Sequence, residues 1–189
     1  MFEMIASPVK VAHLLMGNKI GPGATVIDAT VGNGYDTLFL AEAVGVVGRV
    51  YGFDIQAEAI ENTKLRLLKE GLLERVLLFH EGHENLAHRV TENIDGIMFN
   101  LGYLPGGDHR VITKPSTTIM ALEGALKLLK PGGLATVVVY PGHEGGADEA
   151  QALDEYVAHL PKNTYSCVKI TFVNRSRRSP YVLAIEKAQ

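Results

Sequence analysis

The chain contains a single cysteine, Cys167, in 189 residues. One thiol cannot close an internal disulfide or build a multi-thiolate metal site. A reducing, cytoplasmic setting is expected, with no metal. No apolar run approaches the roughly 20 residues that a membrane helix needs. The first ten residues, MFEMIASPVK, carry an acid and no basic stretch before an apolar core, so no secretory signal is expected. A large excess of positive charge is also missing: the formal net charge is −3. The molecule as a whole therefore has no generic attraction for phosphate, and any nucleic-acid surface must be a local patch. What remains is ordinary globular composition, 47% hydrophobic and 21% charged. The length suits one domain spanning 1–189 with a core large enough to fold alone.

Strand and helix patterns alternate along the chain. Ser7-Pro8 reads as an N-cap and first helical residue, opening a helix to about Gly17. Residues 24–30, 48–55, 75–82, 94–101 and 134–140 read as strands, the last apolar enough to be buried on both faces. Helical spacing covers 35–44, 57–71, 116–130 and about 147–160, with Ala57, Ile60, Leu67 and Leu68 expected on the buried face of the second of these. Pro131-Gly132-Gly133 reads as a helix stop. The tail breaks the alternation: 166–174 and 181–188 are two strands joined by RSRRSP, and so short a link requires antiparallel pairing. The expected architecture is α/β, a seven-stranded mostly parallel sheet with crossover helices and an antiparallel C-terminal hairpin.

The segment DATVGNGYDTLFLA (28–41) places Gly32-Asn33-Gly34 just after the first strand. Ligands of an open α/β sheet bind outside the carboxyl ends of its strands. The dinucleotide fingerprint G-x-G-x-x-G is incomplete, because its third glycine position is Thr37. Asp28 lies four residues before the first glycine, awkward for a pyrophosphate but suited to a cationic amino-acid moiety. Asp54 ends the second strand, where an acid accepts both hydroxyls of a ribose. Ribose and ammonium without pyrophosphate describe S-adenosylmethionine better than NAD. The bland alternative is that Asp28 caps a turn and Asp54 merely ends a strand.

D-x-T-x-G-x-G followed by an acidic end to the second strand resembles the class I methyltransferases, which have a Rossmann-like fold. With VYGFDIQAEAI, FNLGYLPGGDH and KPSTTIMALEGALKLLKPGG, the chain resembles more closely the MnmM (YtqB-like) family, long described as rRNA methylases. The resemblance runs from about residue 8 to the C-terminus. It implies methylation, with S-adenosylmethionine, of the aminomethyl group on the wobble uridine in the tRNA anticodon loop, giving 5-methylaminomethyl-2-thiouridine. The cofactor would be met by Asp28, Gly32, Asn33, Gly34, Asp36, Thr37, Asp54, Gln56, His83 and Asn100. His83 follows the third strand and either contacts the adenine or caps the short helix after it.

NLGYLPGGDH (100–109) resembles the N-P-P-Y type motif of enzymes that methylate amino groups. By position, Asn100 would accept a hydrogen bond from the amine, Leu101 would lend its carbonyl and Tyr103 would stack on the base. Leu101-Gly102 replaces the prolines. Methyl transfer to nitrogen is an in-line displacement, so positioning supplies much of the catalysis. The amine must first lose a proton; His109 is the first candidate to take it, with Asp108 either an alternative acceptor or the stabiliser of a tight turn. Tyr140, with Gly142 and His143, opens the loop opposite and lines the substrate pocket or packs its rim. Arg110 and Lys114 flank the site loop, and Arg175, Arg177 and Arg178 crowd the terminal turn. Either set meets phosphate or is simply solvated. His13, His80, His88 and His159 are expected to be structural or exposed. With no separate RNA-binding domain, a homodimer is expected on size alone. The competing functions are an rRNA or small-amine methyltransferase, a nucleotide-binding module without chemistry, and an NAD-dependent dehydrogenase.

Overall fold

The computed structural model describes residues 5–104, 106 and 110–189. Asp108 and His109 lie outside the described residues. Seven strands, β1 (Thr25–Asp28), β2 (Arg49–Asp54), β3 (Val76–His80), β4 (Ile94–Asn100), β5 (Leu129–Val139), β6 (Tyr165–Ile170) and β7 (Tyr181–Lys187), form one sheet in the order β3-β2-β1-β4-β5-β7-β6. The first five are parallel, and β7 runs antiparallel between β5 and β6. This is the expected Rossmann-like class I methyltransferase arrangement. The helices are α1 (Pro8–Gly17), α2 (Tyr35–Ala43), α3 (Ala57–Lys69), α4 (Leu86–Arg89), α5 (Pro115–Leu128) and α6 (Gly146–Ala158). Ser7 caps α1 as its sequence suggests, its hydroxyl accepting from the Lys10 amide at 3.2 Å, with Pro8 in the first turn.

Both faces of the sheet are covered, and this is why β1, β4 and β5 are buried along most of their length rather than on alternate residues. Ile27, Ile97, Phe99, Val137 and Val139 pack with Leu122, Leu126 and Leu153 of α5 and α6 on one side. Val26, Met98 and Val138 pack with Met16, Leu40 and Leu67 of α1, α2 and α3 on the other. Neighbouring residues on one strand thus feed opposite cores, each fully buried large side chain contributing about 1.5–3 kcal/mol.

Three local expectations change. Helix α3 buries Ala59, Thr63 and Leu67, whereas Ala57 is exposed, Ile60 only half-buried and Leu68 62% exposed. Thr63 stands in that stripe in place of a larger apolar side chain, because it packs close against the glycine turn. Pro131-Gly132-Gly133 does not separate α5 from β5. Strand β5 starts at Leu129, and its pairing with β4 jumps from Ile94–Leu129 to Gly96–Leu134, so the Pro-Gly-Gly segment is absorbed as a bulge. Finally, β6 ends at Ile170 rather than 174, and residues 171–180 form turns before β7. Arg175 holds that connection down, its guanidinium donating to the Ala6 carbonyl at 3.0 Å and lying 4.0 Å from the Phe172 ring centroid.

The order β2-β1-β4 means that successive crossovers leave β1 in opposite directions. The crevice at the carboxyl ends of β1 and β4 is the topological switch point, where an open α/β sheet holds its ligand.

Candidate functional site

Three groups tie the glycine turn between β1 and α2 in place. The Asp54 carboxylate accepts from the Gly32 amide at 2.8 Å with one oxygen and from the Gln56 amide at 2.9 Å with the other. Thr63 of α3 donates its hydroxyl to the Gly32 carbonyl at 3.1 Å, and Arg66 donates Nε to the Asn33 carbonyl at 2.9 Å. Gly34 stands at φ +78°, and a Cβ there would meet Thr63 Oγ1 at 2.6 Å. The second glycine therefore serves close packing of the turn on α3 as well as its left-handed backbone.

Asp28 does not face the ligand space. It is 1% exposed, accepting from the Thr30 amide at 3.1 Å and from the Thr37 hydroxyl at 2.6 Å. Burial, and secondly repulsion from Asp36, push its carboxyl up to about 7. Asp28, Gly34 and Thr37, all expected to meet a cofactor, instead build the turn from beneath and are absent from the cavity wall. What keeps Asp28 from the ligand is its burial beneath the turn, since Asp54 also accepts one bond on each oxygen yet lines the cavity.

A cavity of about 1020 Å³ opens over the turn. That is the top of the ~300–1,000 Å³ range for a single small ligand, leaving room for a second reactant. Gly32, Asn33, Asp36, Asp54, Gln56 and His83 form one part of its wall. His83 is buried, and its Nδ1–H donates to the Ala29 carbonyl at 3.1 Å. Burial lowers its pKa, so the ring is neutral and Nε2 carries a lone pair. That nitrogen is buried without a partner. It suits a ligand N–H such as the exocyclic amine of adenine. His83 does not cap the helical turn it opens.

The second part of the wall is the segment after β4. Asn100, Leu101, Gly102 and Tyr103 line it, with Tyr140, Gly142 and His143 opposite. The Asn100 amide N–H donates to the Thr30 hydroxyl at 2.7 Å, which joins this loop to the glycine turn. Tyr103 is 40% exposed and meets His143 edge-on, ring centroids 5.9 Å apart. Burial, then the Asp36 charge, raise the pKa of Tyr140, so its hydroxyl stays protonated. Arg178 and Lys114 reach the wall, while Arg110 and Arg177 are exposed and each is next in sequence to a wall residue. Arg175 is held by Ala6 and Phe172 as described.

Two contributions escaped the sequence reading. Glu149 of α6 is 1% exposed and accepts hydroxyls from Thr113 and Thr118, each at 2.7 Å; Thr113 in turn accepts from the Gly102 amide at 2.9 Å. This chain anchors the substrate-side loop to α5 and α6. His13, expected to be structural or exposed, bonds Asp36 through Nε2 at 2.6 Å. His80 and His159 bond main-chain carbonyls, as expected of structural residues. Neither His13 nor Glu149 belongs to a local motif; each is 23 or more residues from its partner in the wall.

Comparison with known proteins agrees with this geometry. A crystal structure titled "putative rRNA-methylase" from Clostridium thermocellum superposes with a TM-score of 0.95 at 40% identity, covering 98% of this chain and all of that one. A "putative methyltransferase" from Streptococcus mutans, solved with SAH, gives 0.88 at 33% identity over 97% and 99% of the two chains. The chloroplastic tRNA (mnm(5)s(2)U34)-methyltransferase of Arabidopsis thaliana is 42% identical over 177 residues, 88% of this chain. The chain spans 64% of that relative's length. Residues 50–186 match the family model described as "Putative rRNA methylase", which takes in β2 and Asp54, the Asn100–Tyr103 loop and the Glu149 anchor, and the chain belongs to that family.

Proposed function

We propose that this protein is an S-adenosylmethionine-dependent N-methyltransferase that converts 5-aminomethyl-2-thiouridine to 5-methylaminomethyl-2-thiouridine at the wobble position of tRNA. The observation that carries the reading is that Asp54 and Asn100 line one cavity, joined through Gly32, Thr30 and the turn between them. Asp54 offers carboxylate oxygens to ribose hydroxyls, Gln56 lies beside it, and the unpartnered His83 Nε2 fits the adenine amine. The name of the Arabidopsis relative supports the substrate, and the bound SAH of the Streptococcus relative supports the cofactor.

When bound, S-adenosylmethionine supplies a methyl carbon made electrophilic by its sulfonium. The chain's own residues aim the amine at it. Asn100 accepts an N–H of the amine, the Leu101 carbonyl accepts a second, and Tyr103 stacks on the base. An alkyl amine has an ordinary pKa of about 10, so at pH 7 only about one part in a thousand is neutral, a penalty of roughly 4 kcal/mol. Burial against the Leu101–Gly102 segment disfavours the cation and recovers part of that. Arg178 and Lys114 on the wall, with the exposed Arg110 and Arg177 next in sequence to wall residues, suit the phosphates of the anticodon loop. The same proposal includes a cytoplasmic location, action of 1–189 as one domain, and pairing of two copies to extend the RNA surface.

The test is incubation with labelled cofactor and tRNA bearing or lacking the aminomethyl group, followed by digestion to nucleosides. Label is expected on the amine nitrogen of the aminomethylated tRNA only, with transfer rising between about pH 7 and 9 because the neutral amine attacks. Equal labelling of both tRNAs, or label confined to rRNA, overturns the substrate.

A further inference from the structure

Asp36 opens the first turn of α2 and is 5% exposed. Its Oδ1 takes His13 Nε2 at 2.6 Å, and its Oδ2 accepts from Asn100 Nδ2 at 3.2 Å. Facing a carboxylate, the Nε2 of His13 carries the hydrogen. The His13 ring is itself fixed, stacked on Phe39 with centroids 4.1 Å apart and planes 5° from parallel. Helix α1, helix α2 and the end of β4 thus meet in a line of three polar side chains, imidazole to carboxylate to amide. Asp36 and Asn100 line the cavity; His13 stands behind them.

A side-chain amide has two orientations, and they present opposite chemistry to a ligand. With its NH2 outward, Asn100 would donate to an amine nitrogen and occupy the lone pair that must attack. With its oxygen outward, it accepts an amine N–H and leaves the lone pair free. A carboxylate behind the amide decides between them, since a flip would set Asn100 Oδ1 against Asp36 Oδ2. The Asn100 main chain is pinned as well, through Thr30. A charged acceptor on the NH2 also polarises the amide and strengthens its oxygen as an acceptor.

We infer that Asp36 and His13 are positioning residues for the transfer, acting through Asn100 by holding its amide oxygen toward the reacting amine. This rests on Asn100 as the amine's acceptor. His13 sets the carboxylate, the carboxylate sets the amide, and the amide sets the amine. Besides His13, the ionisable groups that face Asp36 are Asp28 from β1 and Tyr140 beyond β5. Asp28 carries part of its own charge near neutrality and Tyr140 is protonated there. Neither offers Asp36 a competing cation.

A double-mutant cycle tests the inference. Asp36→Ala, Asp36→Asn, His13→Phe, Asn100→Ala and the double variant Asp36→Ala/Asn100→Ala are compared in single-turnover transfer to aminomethylated tRNA. Cofactor affinity is measured by calorimetry and folding by thermal unfolding. Asp36→Ala is expected to slow transfer at least about ten-fold in a wild-type background and less than about two-fold on Asn100→Ala, since a residue acting through another is silent once the other is gone. Asp36→Asn, which keeps an acceptor but loses the charge, falls between and serves if the alanine variant does not fold. His13→Phe keeps the stack on Phe39 and loses the bond, giving a smaller loss. Cofactor affinity stays within about three-fold throughout. Independent, multiplying losses overturn the inference, as does a large fall in cofactor affinity for Asp36→Asn, which would make Asp36 a cofactor ligand. A fully active Asn100→Ala removes the premise itself and is distinguishable from both.

Discussion

Asp54 Oδ2 lies 2.8 Å from the amide nitrogen of Gly32, so the end of β2 and the turn after β1 form one unit. A carboxylate in this place has two tasks. It shapes the turn through main-chain amides, and it lines the cavity.

Replacing Asp54 therefore strikes binding and local order together. Asp54→Ala is expected to abolish measurable binding of S-adenosylmethionine, each charge-assisted bond to ribose being worth roughly 1.5–3 kcal/mol. Asp54→Asn retains one acceptor for the Gly32 amide and should bind weakly but measurably. Calorimetry on the two variants, with thermal unfolding alongside, checks this; unchanged affinity in Asp54→Ala would remove β2 from the ribose site.

Gly34→Ala should destabilise the whole turn. At φ +78° an L-residue costs about 1–2 kcal/mol. The new methyl also falls 2.6 Å from Thr63 Oγ1 and 2.9 Å from Thr63 Cγ2, adding about 1–3 kcal/mol of overpacking. Pairing it with Thr63→Ala should recover most of the steric part and leave the backbone part, measured against Thr63→Ala alone because that change also removes the hydroxyl's bond to the Gly32 carbonyl. Denaturant midpoints of the single and double variants separate the two, and full recovery in the double variant would show that the backbone conformation costs nothing.

The strand order, the antiparallel tail and Asp54 were legible because each has a local signature. Buried parallel strands are continuous apolar runs, a short link forces a hairpin, and an acid after a strand end in an α/β sheet stands at the ligand edge. Asp28 was misplaced because sequence position puts it at that edge without saying which way its carboxylate turns. The Thr30 amide and Thr37 hydroxyl turn it inward. The face of α3 was misread because hydrophobicity favoured Leu68 over Thr63, while the close approach of the turn selects a small side chain that can also donate to Gly32. His13 and Glu149 were invisible as supports of the cavity wall because only the tertiary fold brings α1 to Asp36 and α6 to the loop after β4.

Glu149→Gln should loosen that loop without touching the cofactor side. Two hydroxyls donate to the carboxylate, and the early turn of α6 favours its charge. Glutamine offers one acceptor in place of two and presents donors to a hydroxyl that is itself donating. Stability should fall by about 1–3 kcal/mol, and transfer by about ten-fold through misplacement of Gly102 and Tyr103. Cofactor affinity should hold within a few-fold, by calorimetry. Wild-type transfer rates in Glu149→Gln would show that the Thr113 anchor is dispensable.

Asp28 makes stability depend on pH in a direction opposite to that of most carboxylates. Its folded-state value of about 7 lies above the ordinary 3.8, so the folded chain holds this proton more tightly than the unfolded chain does. The stability tied to that proton is complete below about pH 3.8 and is lost as the pH rises through about 7. Above that, a charged carboxylate is buried beside Asp36 with only the Thr30 amide and the Thr37 hydroxyl to hold it, at a cost on the order of 2–4 kcal/mol. Asp28→Asn removes the charge while keeping an acceptor for Thr30. Its unfolding free energy relative to wild type should therefore improve from pH 5 to pH 8.5, even if the substitution is unfavourable at the lower pH through its altered bond to Thr37. Chemical denaturation at several pH values measures the difference directly. A wild-type-minus-variant difference that stays flat over this range would mean that Asp28 is ionised throughout, and that the turn stabilises its charge far better than two neutral donors should.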